Sequence, residues 1–233
     1  MAQLRDRTIL VVGATGAFGN EFTDQLTKLG ASVIGTASSE ASAQRLSSQL
    51  VAQYFLNLNE PGSIENFTAA IKASNVQLDG IVLAAGQVAF GSAAETPVDV
   101  TESLMRVNFL GQVSVVKALL ARLEESAAAN RSPFVVSLSG VIAETPMAGM
   151  TSYSASKTAM HGYATAATRE LRRAGIRWID ARPGHTDSGL ASRAIFGTTP
   201  AFGVGLKTED VVARIVRAIE EDEKDLPSTS FTA

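Results

Sequence analysis

Residues 8–19 read Thr8-Ile-Leu-Val-Val-Gly13-Ala-Thr-Gly16-Ala-Phe-Gly19. A short apolar run ends in glycines spaced three apart. Apolar residues then recur at helical spacing through Phe18, Phe22, Leu26 and Leu29, and Gly30 stops the pattern. This predicts a buried strand, a tight turn and an amphipathic helix. Glycines let the backbone turn sharply and come close to a ligand. The first turn of the helix leaves N–H groups free, so the turn suits the pyrophosphate of a dinucleotide. Glycine spacing alone is common; the strand before it and the helix after it give it weight. The plainer alternative is a helix cap in an ordinary α/β protein.

The same alternation continues outward. Strands are expected at Ser32–Thr36, Gln53–Asn57, Gly80–Ala84, Pro133–Leu138 and Ile176–Ala181. Helices are expected at Ser42–Leu50, Pro61–Ala73, Val100–Ala127, Thr151–Arg173 and Thr208–Glu221. Strand–helix alternation predicts a parallel sheet covered on both faces. The fold class is therefore α/β, a three-layer Rossmann-like doubly wound sheet in order 3-2-1-4-5-6, with residues 1–233 as one domain. The least regular stretch, 184–207, has the length of a binding loop. Leu226 to Ala233 reads as a loose end.

The chain has 233 residues, 45% hydrophobic and 18% charged, which describes a globular protein with room for a large core. A net charge of −3 with no basic block argues against a nucleic-acid surface. Cysteine is absent, and the two histidines lack metal-ligand spacing, so no metal site is expected. The N-terminal Met-Ala-Gln-Leu-Arg-Asp-Arg does not read as a signal peptide, and no apolar run reads as membrane-spanning. A cytoplasmic location without membrane contact is expected.

Two side chains point to chemistry. Tyr153 and Lys157, four apart in a predicted helix, share one face. An ammonium beside a phenol favours the phenolate, which makes an acid–base group for a carbonyl/alcohol couple. At the end of the second strand an acidic residue would bind a ribose hydroxyl and repel a 2′-phosphate. Here stand Ala37, Ser38 and Ser39, with no acid before Glu40. NADP(H) is therefore favoured, with NAD(H) as the alternative; no Arg lies in the turn.

The glycine turn, Asn108, a serine upstream of Tyr153 and Tyr153-Ser-Ala-Ser-Lys157 together resemble the short-chain dehydrogenase/reductase family, over the chain up to about Ile219. Arg182-Pro-Gly184-His-Thr-Asp-Ser188 resembles that family's Pro-Gly turn. Val33–Glu40 and Leu56-Asn57 are similar to its NADP-dependent β-ketoacyl-acyl-carrier-protein reductases. The resemblance implies an oxidoreductase that moves a hydride between NAD(P)(H) and a carbonyl or secondary alcohol. It implies Tyr153 as general acid/base, with Lys157 holding the nicotinamide ribose. Ser139 would bond the substrate oxygen, and Asn108 would hold a water linked to Lys157. Gly13, Thr15, Gly16, Ala17, Phe18 and Gly19 would surround the pyrophosphate and its ribose. Asn57, Leu58, Ala85 and Gly86 would border the adenosine. Pro183, Gly184, Thr186 and Ser188 would face the carboxamide. A small-molecule substrate and a homodimer or homotetramer are implied as partners.

Four positions depart from the family pattern. The turn reads Gly13-x-x-Gly16-x-x-Gly19, with Val12 and Ala17 where Thr and Gly are usual. Leu83-Ala-Ala-Gly86 replaces Asn-Asn-Ala-Gly. Ser139 lies one residue too far from Tyr153, and Gly140 stands at the usual distance. The Gly-Gly-containing C-terminal segment is missing, which removes an expected seventh strand and weighs against a tetramer. These departures suit a rival reading, a dinucleotide-sensing regulator without turnover. Intact Tyr153, Lys157 and Asn108 oppose that reading. A sugar-nucleotide epimerase would need more chain after residue 184. His161 reads as a packed or surface histidine rather than a relay, and Trp178 as sheet packing. His185, Phe196 and Phe202 read equally as site or scaffold. Glu220–Asp225 reads as a solvated charge run.

Overall fold

The computed structural model describes residues 4–231. Strand β1 (Thr8–Val12) alternates its side chains between two faces. Leu10 and Val12 join one apolar cluster, while Ile9 and Val11 join the other. Around it lie β2 (Ser32–Ala37), β3 (Ala52–Phe55), β4 (Gly80–Leu83), β5 (Phe134–Leu138) and β6 (Arg177–Ala181). They form one six-stranded sheet, order β3-β2-β1-β4-β5-β6, with every pair parallel. The order reverses between β1 and β4, the switch point at which open α/β sheets bind ligands.

Helices cover both faces. Helix α1 (Ala17–Lys28) buries Phe22 and Leu26, and α7 (Thr208–Glu220) buries Val212, Ile215 and Ile219, all in one cluster. Between them in sequence come the short α2 (Glu40–Ala43), α3 (Pro61–Ala73), α4 (Val98–Met105), α5 (Gly111–Ala128) and α6 (Thr151–Leu171). Helices α3, α5 and α6 bury Phe67, Leu119 and Met160 in the opposite cluster, beside Trp178 of β6.

Several expectations need correcting. The helix anticipated over Ser42–Leu50 is only Glu40–Ala43. A reciprocal Ser39/Ser42 capping box starts it early, and the Ser47 hydroxyl accepts the Gln49 N–H at 3.2 Å beyond it. The third strand ends at Phe55, and the Asn57 N–H turns to the Ser63 hydroxyl. The helix anticipated from Val100 runs Val98–Ala128, with a π turn at Arg106–Leu110. Contrary to the sequence reading, this helix is long and apolar enough by length and composition to cross a membrane. Here it supplies Val115, Val116, Leu119 and Leu123 to the core.

The C-terminal end is not loose over its described part. Leu226 is buried and makes an isolated parallel bridge with Ala181 at the β6 edge. Phe231 is buried at the end of a 3-10 turn, Ser228–Phe231; residues 232 and 233 lie outside the described residues. The charge run is not merely solvated. Glu223 pairs with Arg214 at 2.7 Å, Asp225 with Arg182 at 2.7 Å, and Asp222 with Arg177 at 3.2 Å.

Candidate active site

A cavity of about 820 Å³ opens at the C-terminal ends of the strands. Gly13, Thr15, Gly16, Ala17 and Phe18 line one part of it. Gly13 has φ +84°, and its N–H donates to Thr36 Oγ1 at 2.9 Å. A Cβ there would meet Ala85 Cα at 2.8 Å, so only glycine fits between β1 and the strand beside it. Gly19 does not line the cavity. A Cβ on it would strike Ala14 Cα at 2.6 Å, so Gly19 lets α1 pack close to the turn.

At the end of β2 only Ser38 of the expected trio reaches the cavity. Ala37 is buried, and the Ser39 hydroxyl caps α2 by accepting the Ser42 N–H at 3.2 Å. Arg45 lines the cavity together with Ser38, which the sequence reading missed. Its helix was expected to run straight on; α2 instead ends at Ala43, and Arg45 lies in the turn that follows. Asn57, Leu58, Ala85 and Gly86 line the neighbouring wall as expected.

Deeper in, Tyr153 and Lys157 come from the first turns of α6. Lys157 Nζ lies 5.9 Å from the Tyr153 ring centroid and donates to the Leu138 carbonyl at 2.7 Å. Burial pushes the Tyr153 phenol up to about 12 and the Lys157 ammonium down to about 8, the latter despite the opposing pull of Asp180. At neutral pH the pair is a neutral phenol beside a buried cation.

Asn108 sits in the π turn, fully buried, and its side chain is committed. Oδ1 accepts from the Gln87 N–H at 2.8 Å; Nδ2 donates to the Gln87 carbonyl at 2.9 Å and to Ser156 Oγ at 3.0 Å. It thus clamps the segment after Gly86 to α6.

Ser139 lines the cavity wall, but its hydroxyl donates to Asp180 Oδ2 at 2.6 Å. Asp180 is buried and also accepts from Ser137 Oγ at 2.6 Å; His161 Nδ1 stands 2.8 Å from it. His161 is therefore packed against a carboxylate. Gly140, at the spacing where the family carries its serine, has φ +76° and no side chain to offer.

Pro183, Gly184, Thr186 and Ser188 complete the wall, joined by His185. Beside Tyr153 lies an apolar box of Val88, Phe90, Ile142 and Met150, with Leu190 and Phe202 packed on it. His185 stacks on Phe202 with ring centroids 4.5 Å apart. Phe202 belongs to the wall, whereas Phe196 anchors its loop: the Phe90 N–H donates to the Phe196 carbonyl at 2.9 Å. Val88 and Phe90 escaped the sequence reading because nothing local distinguishes them from core residues.

A family model described as short chain dehydrogenase matches residues 7–195. Over 241 residues the chain is 25% identical to a dehydrogenase/reductase SDR family protein 7-like of Anopheles gambiae, covering 96% of this chain and 75% of that protein. Over 224 residues it is 27% identical to the 3-oxoacyl-[acyl-carrier-protein] reductase FabG of Salmonella typhimurium, covering 92% and 89%. A short chain dehydrogenase from Burkholderia cenocepacia in complex with NADP superposes with a TM-score of 0.82 at 17% identity, covering 97% of this chain and 89% of that one. A 3-ketoacyl-(acyl-carrier-protein) reductase from Brucella melitensis complexed with NADH gives 0.83 at 17% identity, covering 96% and 97%. The chain belongs to the short chain dehydrogenase family.

Proposed function

We propose that this protein is an NAD(P)-dependent reductase/dehydrogenase that exchanges a hydride with a carbonyl or secondary alcohol carbon, using Tyr153 as the general acid/base. The observation that carries this reading is one cavity lined by the glycine turn, by Tyr153 and by Lys157. The cavity residues fit a dinucleotide. The glycine turn is open to close approach, and Gly16 is the N-cap of α1. Arg45 and Ser38 offer a cation and a hydroxyl for a 2′-phosphate, which favours NADP(H) over NAD(H). Relatives of similar fold are described as complexes with NADP, NADH and NADPH.

The nicotinamide supplies the hydride when bound. The protein's part is to place the carbonyl carbon before it and to handle the proton. In reduction the Tyr153 hydroxyl gives its proton to the substrate oxygen as charge develops there, and in oxidation the phenolate takes it back. Lys157 keeps positive charge beside the phenol and holds ribose hydroxyls. Ser139 bonds the substrate oxygen by turning its proton from Asp180 towards the cavity. Asn108 fixes the Gln87 backbone and, with it, the wall opposite Tyr153. Residues 184–207 form the substrate loop of a single domain. The same reading includes a cytoplasmic protein that pairs with a second copy through α4, α5 and α6. Leu110, at the end of the π turn between α4 and α5, and Tyr163 of α6 are exposed there.

The test is loss of reduced-nicotinamide absorbance with a panel of ketones and aldehydes. Tyr153→Phe should remove turnover while leaving NADPH affinity, read by thermal shift, within about threefold. Turnover that survives the change would end the assignment. Ser139→Ala should lower kcat by about 10–100-fold with little change in KM, as for a group met mainly in the transition state. A loss below threefold would leave Ser139 as a partner of Asp180 only.

A further inference from the structure

The cavity carries charge of one sign only. Arg45, Lys157 and Arg193 line it, and no Asp or Glu does, although the whole chain has a net charge of −3. Arg45 stands with Ser38 and Lys157 with Tyr153. Arg193 is left without a role in the reading above.

Arg193 ends a short 3-10 turn, Ala191–Arg193, within the loop that follows β6. Its neighbours Leu190, Ala191 and Ala194 pack on the apolar box beside Tyr153, on the substrate side of the cavity. The loop is fastened there. The Ile195 N–H donates to the Val88 carbonyl at 2.9 Å, and Thr199 Oγ1 to the Ala191 carbonyl at 2.7 Å. Gly197 adds a glycine-only contact: at φ +73°, a Cβ would overlap the Phe90 carbonyl. The guanidinium is thus carried on a pinned turn. Among the described residues no carboxylate lies within ion-pair distance of it. On the same loop Asp187 faces His185 at 3.6 Å, not Arg193.

Resting on the reading above, we infer that Arg193 is a specificity residue. The substrate is an apolar ketone or secondary alcohol bearing an anionic group, a carboxylate or phosphate, which Arg193 pairs while the apolar box holds the chain between. An Arg fork beside an apolar box selects such a group by paired, charge-assisted hydrogen bonds, and Lys is a poor substitute. The box supplies affinity that does not depend on charge.

The experiment uses a ladder of linear oxo acids of increasing length, each paired with its methyl ester, and the corresponding keto-alkyl phosphates. Binding to the NADP-loaded protein is measured by calorimetry, alongside turnover with NADPH. In the wild type one length should bind as the anion about 10–100-fold tighter than as the ester. The carboxylate and phosphate arms tell which anion fits. Arg193→Ala should abolish that preference, leave ester binding within about threefold and leave NADPH affinity unchanged; Arg193→Lys should fall between. Arg193→Glu should reverse the preference towards amino ketones, which guards against mere loss of folding. Equal binding of acid and ester throughout the ladder, with the keto-alkyl phosphates no tighter than the esters, would overturn the proposal. So would a loss of NADPH affinity in Arg193→Ala, which would make Arg193 a partner of the cofactor's phosphates. Because the preference is read in binding, it can hold or fail even where Tyr153 proves not to be the acid.

Discussion

Tyr153 and Lys157 are moved by one cause in opposite directions: burial raises the phenol to about 12 and lowers the ammonium to about 8. Desolvation disfavours whichever form is charged. Reduction needs a protonated Tyr153 and a charged Lys157. The first condition holds across the ordinary pH range, whereas the second is lost above about 8. Reductive kcat/KM should therefore be flat below that point and fall above it. Lys157→Arg, which stays charged, should push the limb upwards; a limb that does not move would detach it from Lys157. The same shift bears on stability. The pKa of Lys157 is 10.5 unfolded and about 8 folded, so between those values the unfolded chain binds more protons and stability rises with pH. Below that window the buried charge costs about 3 kcal/mol. Lys157→Met should therefore raise the Tm of the ligand-free protein at pH 7, with the gain fading as the pH approaches 10.5. A lower Tm at pH 7 would show that the bond to the Leu138 carbonyl outweighs the desolvation.

The π turn Arg106–Leu110 shows how an element positions the site. One residue inserted between α4 and α5 frees the Val107 carbonyl, which Gln112 Nε2 takes at 3.0 Å, and presents Asn108 to Gln87. Asn108→Ala would leave the Gln87 N–H and carbonyl unpaired beside the cavity. Urea unfolding should show a loss of about 2–3 kcal/mol, of the order of one or two buried unmet groups. A loss under 0.5 kcal/mol would mean that water replaces the amide at no cost. Elements of this kind explain what the sequence could and could not reveal. Strands and long helices were legible because burial on both faces makes a continuous apolar run of Ile9–Val12 and burial on one face imposes a period of 3.6 on Val211–Ile219. Gly13 and the Tyr153/Lys157 pair were legible because their chemistry is local. The π turn was not, since an extra residue leaves the apolar period of Val98–Ala128 nearly intact. The early end of α2 depended on which serine hydroxyls pair, and so Arg45 was missed. The Ser139 bond to Asp180 joins residues 41 apart in sequence, beyond any local pattern.

At the scale of the molecule, the open edge at β6 is closed by charge as well as by packing. Arg182, buried just after β6, holds Asp225 through two bonds at 2.7 and 2.8 Å, reaches Glu144 before α6 and lies 3.3 Å from Asp180 Oδ2. Its N–H donates to the Leu226 carbonyl at 2.9 Å. One guanidinium thus ties the C-terminal segment to the loop that leads into the Tyr153 helix. Removing it in Arg182→Ala would take the bonds to Asp225 and Glu144 and the nearest cation from the buried Asp180, which keeps Ser137, Ser139 and His161 as partners. The loss should be about 2–4 kcal/mol by urea unfolding. Asp225→Asn, at an exposed partner, should cost less than about 1 kcal/mol. The acid side of the stability curve follows from the carboxylates in such ties. Burial opposes ionisation of Glu144, yet bonds from Ser228 and Arg182 hold it below its ordinary 4.5. Burial likewise opposes ionisation of Asp79, and bonds from Arg131, Ser126 and the Thr8 N–H hold it below 3.8. Groups with lowered pKa stabilise the fold above their unfolded values and release that stability as pH falls through the folded ones. The unfolding free energy from urea titrations should therefore lose little from these two groups down to about pH 4.5 and fall steadily below it. Glu144→Gln should flatten the fall by part of one proton while lowering stability at neutral pH. A variant whose curve ran parallel to the wild type through the acid range would remove Glu144 from the account and leave Asp79 to carry it.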